Sequence, residues 1–269
     1  MNIAIIYGSP RKGITYETVQ IVKAELQTLG PVEFTEFHLP QDMPAFCKGC
    51  FQCFQKGEDK CPDAQYVQPI VEAMMKADGF IISSPVYVLQ ISGALKVLFD
   101  HMAYCYINHR PRFYTHKALV ITTTAGAGTE NANKYIKQNL TFWGINKVYT
   151  FGGKMMALSW KEVSPQVLST VTKQVQQKTR SFYRDLNSKK IYPPGFIQTV
   201  MFQVSRLLML SYQDNMDNDY WQEKGWLNKR CNYLYPEAKP GILKKMVGRL
   251  ASFGFSKIFK IKPIQSSNR

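Results

Sequence analysis

The chain has 269 residues, 45% of them hydrophobic, enough for one large globular domain or one ordinary domain with an extension. Its 34 Lys/Arg against 19 Asp/Glu leave a net charge of +15 and point to anionic partners, but no nucleic-acid-binding motif accompanies the charge, so nucleic acid is set aside. The opening Met1-Asn2-Ile3-Ala4 reads as no signal peptide and no stretch has the length of a transmembrane helix, so the six cysteines point to a reducing cytoplasm with reactive or metal-bound thiols.

Residues 1 to about 152 alternate strand-like and helix-like segments. Ile3–Tyr7 is a short apolar strand that ends in a Gly-Ser-Pro loop. Thr15 to Leu29 follows at helical spacing and stops at Gly30-Pro31. Val32–His38, rich in β-branched and aromatic residues, is the second strand. A cysteine-rich loop over 47–61 comes next, then a helix from Asp63 to Ala77. Gly79–Ser83 is a buried strand running into Ser84-Pro85-Val86-Tyr87. Ser92 to Tyr104 is helical, Ala118–Thr122 a strand, Asn131 to Trp143 a helix and Lys147–Phe151 a fifth strand. Val163 to Leu186 closes the series as a long polar-faced helix. This alternation predicts an α/β fold, a parallel sheet with helices on both faces and ligands at the carboxyl ends of its strands. After Leu186 the alternation stops. Residues 1–186 are expected to form the sheet domain. Residues 187–269, entered through a linker at Asn187–Pro194, are expected to form a mainly helical, basic extension, docked on that domain or covering a neighbouring subunit.

Three loops at strand ends carry candidate chemistry. Gly8-x4-Gly13 is like a nucleotide phosphate loop up to its end, where Ile14-Thr15 replace the Lys-Ser/Thr that a triphosphate requires. What remains are backbone amides, the hydroxyls of Ser9 and Thr15 and the guanidinium of Arg11, a set suited to a single phosphate ester. A plain strand-to-helix turn would need the glycines but not the Arg and hydroxyls. The second loop, Ser84 to Gln90, offers a rigid proline turn and an aromatic side chain, which suits a flat heteroaromatic ring. The third, Thr122 to Thr129, is small and hydroxyl-rich and permits close backbone approach.

Cys47-x2-Cys50-x2-Cys53-x7-Cys61-Pro62 places four cysteines within fifteen residues. The first three have the spacing of thiolates converging on one metal centre, and a Cys-Pro pair is a common context for iron–sulfur ligands. Zinc or plain reduced thiols stand as the alternatives. Cys105 and Cys231 stand alone and read as packing residues. His38, His101, His109 and His116 are scattered and read as structural.

Together Gly8–Thr15, Cys47–Cys53 and Ser84–Asp100 resemble the NADPH-dependent FMN reductase family, and within it the iron–sulfur flavoproteins. The resemblance covers roughly residues 1 to 155. It implies a flavodoxin-like five-stranded sheet of order 2-1-3-4-5 with FMN at the switch point. By position, Ser9, Arg11, Gly13 and Thr15 would hold the FMN phosphate. Pro85, Val86, Tyr87 and Val88, with Thr124, Ala125 and Gly126, would line the ring. Cys47, Cys50, Cys53 and Cys61 would ligate a [4Fe–4S] cluster. Ile14 stands where relatives often have a polar residue, which implies a thinner phosphate shell. The seven-residue gap before Cys61 is long among cluster motifs, and many flavin reductases of this family retain some of these cysteines without a cluster. The resemblance also implies at least a homodimer.

The activity expected is NAD(P)H-dependent reduction of FMN, with electrons passed to a small-molecule or protein acceptor and no catalytic side chain, because the flavin carries the chemistry. The alternatives are a non-enzymatic flavodoxin-like carrier and an accessory subunit docking on a reductase or membrane complex. From Ala238 to Arg269 there are eight Lys/Arg and no acidic residue. Within this segment Gly241 to Ile261 reads as an amphipathic helix with a basic edge. It is either docked on the protein itself or attached reversibly to an anionic membrane surface or an acidic protein.

Overall fold

The computed structural model describes residues 1–188, 190–212, 215–228, 230–235 and 239–261. The end of the basic segment, 262–269, lies outside the described residues. Five strands, β1 (Asn2–Tyr7), β2 (Glu33–His38), β3 (Gly79–Pro85), β4 (Lys117–Thr124) and β5 (Lys147–Lys154), form one parallel sheet in the order β2-β1-β3-β4-β5. This is the flavodoxin-like order. The helices are α1 (Ile14–Leu29), α2 (Gln52–Gln55), α3 (Ala64–Lys76), α4 (Gly93–His101), α5 (Thr129–Phe142) and α6 (Pro165–Ser188), then α7 (Phe196–Ser211), α8 (Met216–Glu223) and α9 (Ile242–Ile258).

β1 sits in the interior of the sheet, with Ile5 registered against Glu36 of β2 and Ile81 of β3. Its near-continuous apolar sequence follows from burial on both faces. Alternate side chains feed two cores. Ile3, Ile5 and Tyr7 join Val19, Val22 and Leu26 of α1 and Val175 and Phe182 of α6. Ala4 and Ile6 join Ile70 and Met74 of α3, Leu95 and Leu98 of α4, and Ile136 and Leu140 of α5. The long α6 is tied to α1 by the Arg180–Glu25 ion pair at 2.5 Å and by the Tyr183 hydroxyl, which donates to the Leu29 carbonyl at 2.7 Å. Strand and helix types follow the sequence pattern. The differences are at the ends: β3, β4 and β5 run two or three residues past their expected limits. The helix at Ser92 breaks at His101, followed by a single 3-10 turn, Ala103–Cys105.

The chain after Ser188 folds back onto the sheet layer. Phe202, Trp221, Trp226, Tyr233 and Tyr235 pack with Ile107 into a third apolar cluster. The Trp221 indole donates to the His109 carbonyl at 2.7 Å and the Tyr220 hydroxyl to that of Pro111 at 2.8 Å.

His116 is buried against Phe80 and Phe113, with Nε2 3.3 Å from the Met75 carbonyl. Burial pushes its pKa below the ordinary 6.5, so the unfolded chain takes up this proton at a higher pH than the folded one. The stability it supports is therefore complete above that value and declines as pH falls through it. Urea unfolding midpoints should drop between neutral pH and a pH about one unit below 6.5, and His116→Phe should flatten that slope. An unchanged slope in the variant rules out His116 as the source.

Candidate functional site

Because the strands are parallel, the loops after β1, β3 and β4 leave the sheet at one edge. Gly8 brings the first of these loops against β3: its N–H donates to the Ser83 carbonyl at 2.7 Å. A Cβ on Gly8 would stand 2.7 Å from that oxygen and 3.1 Å from Ser92 Oγ, so only glycine allows this approach. Ser92 Oγ donates to the Gly8 carbonyl and accepts from the Leu95 N–H, which caps α4. Ser84 Oγ accepts from the Ser92 N–H at 3.0 Å. The serines of the second loop thus hold the loops together.

These loops enclose an open cleft. Ser9, Arg11, Gly13 and Thr15 line one end, and Pro85, Val86, Tyr87, Thr124 and Ala125 line the walls. Gly13 caps α1 with no side-chain hydrogen bond, so the first-turn amides face the cleft without an internal partner. Thr15 Oγ1 lies 2.6 Å from Thr123 Oγ1, which links the first and third loops at the base. Two expected residues, Val88 and Gly126, are not in the lining. Val88 is 97% exposed on the rim, and its loop hairpins back through the Tyr87–Gln90 bridge. Thr123 of the third candidate loop also lines the cleft, as do two residues that were not expected there, Ala157 and Leu158. The last two follow β5, where no motif marks the sequence.

A second cavity is lined by Cys47, Cys50, Cys53 and Cys61 together with Phe51, Phe54, Asp100 and His101. All four cysteines are free thiols. Burial, then the neighbouring sulfurs, pushes the Cys53 thiol up; burial is also the first cause of the rise at Cys61. A bound cation would reverse both effects. Cys61 is joined by a residue the sequence left as structural: His101 Nδ1 lies 3.7 Å from its Sγ, while His101 Nε2 is 3.0 Å from the Ala45 carbonyl. Among the described residues, Cys61, Asp63 and His101 are the one group of three with ligating atoms within 4.8 Å of one another. No three cysteine sulfurs are that close, whereas tetrahedral zinc would hold thiolates about 3.8 Å apart. Cys105, by contrast, is fully buried and its thiol pKa is pushed far up by burial, as suits a packing residue.

Lys260, just past the last helix, has φ of 53°, and the other described non-glycine residues with positive φ, Phe51, Val88, Leu89 and Met156, have φ of 58°, 48°, 63° and 52°. These last four lie in loops bordering the two cavities. Such conformations cost about 1–3 kcal/mol each and cluster where a loop must present atoms to a ligand.

The cysteine loop is braced from the extension. Arg110, 2% exposed, donates through Nη2 to the Cys53 carbonyl and pairs with Glu58 at 3.3 Å and with Asp217 of α8. Asp217 also meets His109 Nδ1 at 2.7 Å, and Arg112 pairs with the same Glu58. Removing one partner of a buried ion pair leaves an unpaired charge and costs about 3–5 kcal/mol. Asp217→Ala should destabilise the protein by about that much and speed tryptic cleavage after Lys56 and Lys60. An unchanged unfolding midpoint and digestion rate would show that the brace carries no load.

A model of the NADPH-dependent FMN reductase family matches residues 1–159. An iron–sulfur flavoprotein of Clostridioides difficile is 26% identical over 234 residues, covering 84% of this chain and 99% of that protein. A span of that length exceeds residues 1–186, so the likeness reaches into the extension. An iron–sulfur flavoprotein of Methanocaldococcus jannaschii is 31% identical over 154 residues, covering 56% of this chain and 76% of that protein. Among solved structures, an FMN-dependent NADH-azoreductase from Bacillus anthracis in complex with FMN superposes with a TM-score of 0.53 at 15% identity, over 68% of this chain and all of that one. That likeness concerns the fold. The chain belongs to the NADPH-dependent FMN reductase family, and these curated relatives in it are iron–sulfur flavoproteins.

Proposed function

We propose that this protein is an FMN-dependent NAD(P)H oxidoreductase whose cysteine cavity holds a [4Fe–4S] cluster, and that it delivers electrons to a small-molecule or protein acceptor. The observation that carries this reading is the placement of two dissimilar cavities at the two ends of α4. Ser92 caps the helix at the edge of the cleft, and His101 ends it in the wall of the cysteine cavity. Nine residue steps separate them, about 14 Å along the axis. Bound FMN would accept hydride and release electrons singly or in pairs.

The chain's own task in this reading is to bind and orient. The free first-turn amides of α1 and Arg11 would take the phosphate. Pro85, Val86 and Tyr87 would cover one face of the ring, with Thr124 and Ala125 near its edge. No general acid or base is required. The donor set of the second cavity, four thiols lining one pocket, fits a multinuclear centre. The rim of the cleft exposes Tyr87, Val88, Leu89, Met156 and Leu158. This apolar border around an open site supports completion by a second copy of the chain.

The protein is expected to bind about one FMN per chain, and Arg11→Ala to weaken binding by about 1.5–3 kcal/mol through loss of a charge-assisted contact. Titration of apo-protein followed by flavin fluorescence measures this, and an absence of saturable binding overturns the flavin assignment. Anaerobically prepared protein is expected to carry about four irons per chain. Cys50→Ala should lose iron and retain FMN, because the two cavities use separate loops. Iron-free protein from anaerobic, iron-replete preparation, or stoichiometric zinc, would exclude the cluster. Steady-state oxidation of NAD(P)H with free acceptors separates an enzyme from an electron carrier or accessory subunit.

A further inference from the structure

Helix α9 packs with its faces the wrong way round for a surface helix in water. Such a helix normally buries its apolar stripe and exposes its polar one. Here the close contacts with α7 are made through small and polar groups. Lys244 Nζ donates to the Pro194 carbonyl at 3.0 Å, and Ser252 Oγ donates to that of Gln203 at 3.2 Å. Between them, Gly248 is so close to α7 that a Cβ there would lie 3.1 Å from Gln203 Cγ and 3.3 Å from the Thr199 carbonyl. These contacts advance together along both helices, so α7 and α9 run side by side in the same direction. Val247 and Phe255 are half-buried, and most of the other large apolar side chains point outward instead. Leu243 is 73% exposed, Leu250 66% and Ile258 75%, with Ile242, Met246 and Phe253 also exposed.

Close packing through small residues with apolar residues outside is how helices associate when their surroundings are lipid. Charge identifies the kind of surface. Arg249, Lys257 and Lys260 are exposed on α9 and at its end, and residues 239–261 contain no acidic side chain. A symmetric pairing of two copies through this face would bring its cations against themselves. Among the described residues, no helix is long and apolar enough to cross a membrane. We propose that α9 is a membrane-surface anchor, lying in the plane of an anionic lipid surface with Leu243, Leu250 and Phe253 among the acyl chains and Arg249 and Lys257 at the headgroups. Phe196 and Ile197, exposed at the start of α7 near Lys244, extend the apolar face. The proposal does not depend on either cavity's occupant.

The test is flotation of the full-length protein with vesicles of equimolar phosphatidylcholine and phosphatidylglycerol, beside vesicles of phosphatidylcholine alone. The protein should float with the anionic vesicles at low salt and less at high salt. It should float poorly with the neutral ones. Arg249→Gln with Lys257→Gln should reduce partitioning about 25-fold, from a factor of roughly five per cation. Leu250→Gln with Phe253→Gln should reduce it at least about tenfold, since each side chain loses an apolar site. Both pairs are at exposed positions, and unchanged thermal melting by circular dichroism will show that the fold is kept. Absence of flotation at low salt overturns the proposal, as does flotation untouched by the apolar pair. A dimer that the apolar pair converts to monomer, without vesicle binding by the parent protein, would identify the face as an interface between copies and also overturn it.

Discussion

The contact between Gly8 and β3 is the constraint on which the site depends. A parallel sheet buried on both faces places its loops at one edge but does not by itself bring them close enough to share a ligand. The 2.7 Å bond from Gly8 to Ser83, with Ser92 and Ser84 joining the same knot, pulls the first and second loops into one wall. The Thr15–Thr123 contact adds the third. Buried hydroxyls need partners, and here each finds one on a neighbouring loop. The same bonds that satisfy them define the cleft.

The cysteine loop has no comparable support from the sheet. It has short helical turns and left-handed residues, and its sulfurs weaken one another's ionisation. Its support is the buried guanidinium of Arg110, shared between Cys53, Glu58 and Asp217. A buried ion pair adds little net stability over an apolar substitute, but it tolerates only one arrangement of its partners. That makes the extension part of the second cavity's construction, although none of its residues lines that cavity.

Much of this was legible in the sequence. The apolar runs at β1, β3 and β4 and the helical spacing of α1 and α6 follow from side-chain periodicity, which depends on neighbours in the chain. Arg11, Thr15, Pro85 and Tyr87 were marked by loop chemistry next to strand ends. What escaped depended on distant neighbours. His101 is forty residues from Cys61, and nothing local distinguishes it from His116, which packs on two phenylalanines. Ala157 and Leu158 are ordinary residues made relevant only by where β5 ends. Val88 lies outside the lining for the opposite reason: its sequence context resembles its neighbours', but a left-handed turn carries it onto the rim.

The position of α4 has an electrostatic consequence. Its peptide dipoles align from Ser92 to His101, which places partial positive charge at the cleft and partial negative charge at the cysteine cavity. Each end favours or disfavours an added negative charge by about 0.3–1 kcal/mol. One short helix thus makes its two ends unequal: its backbone favours negative charge beside the cleft and disfavours it beside the sulfurs. The backbone itself sets this difference, independently of any charged side chain.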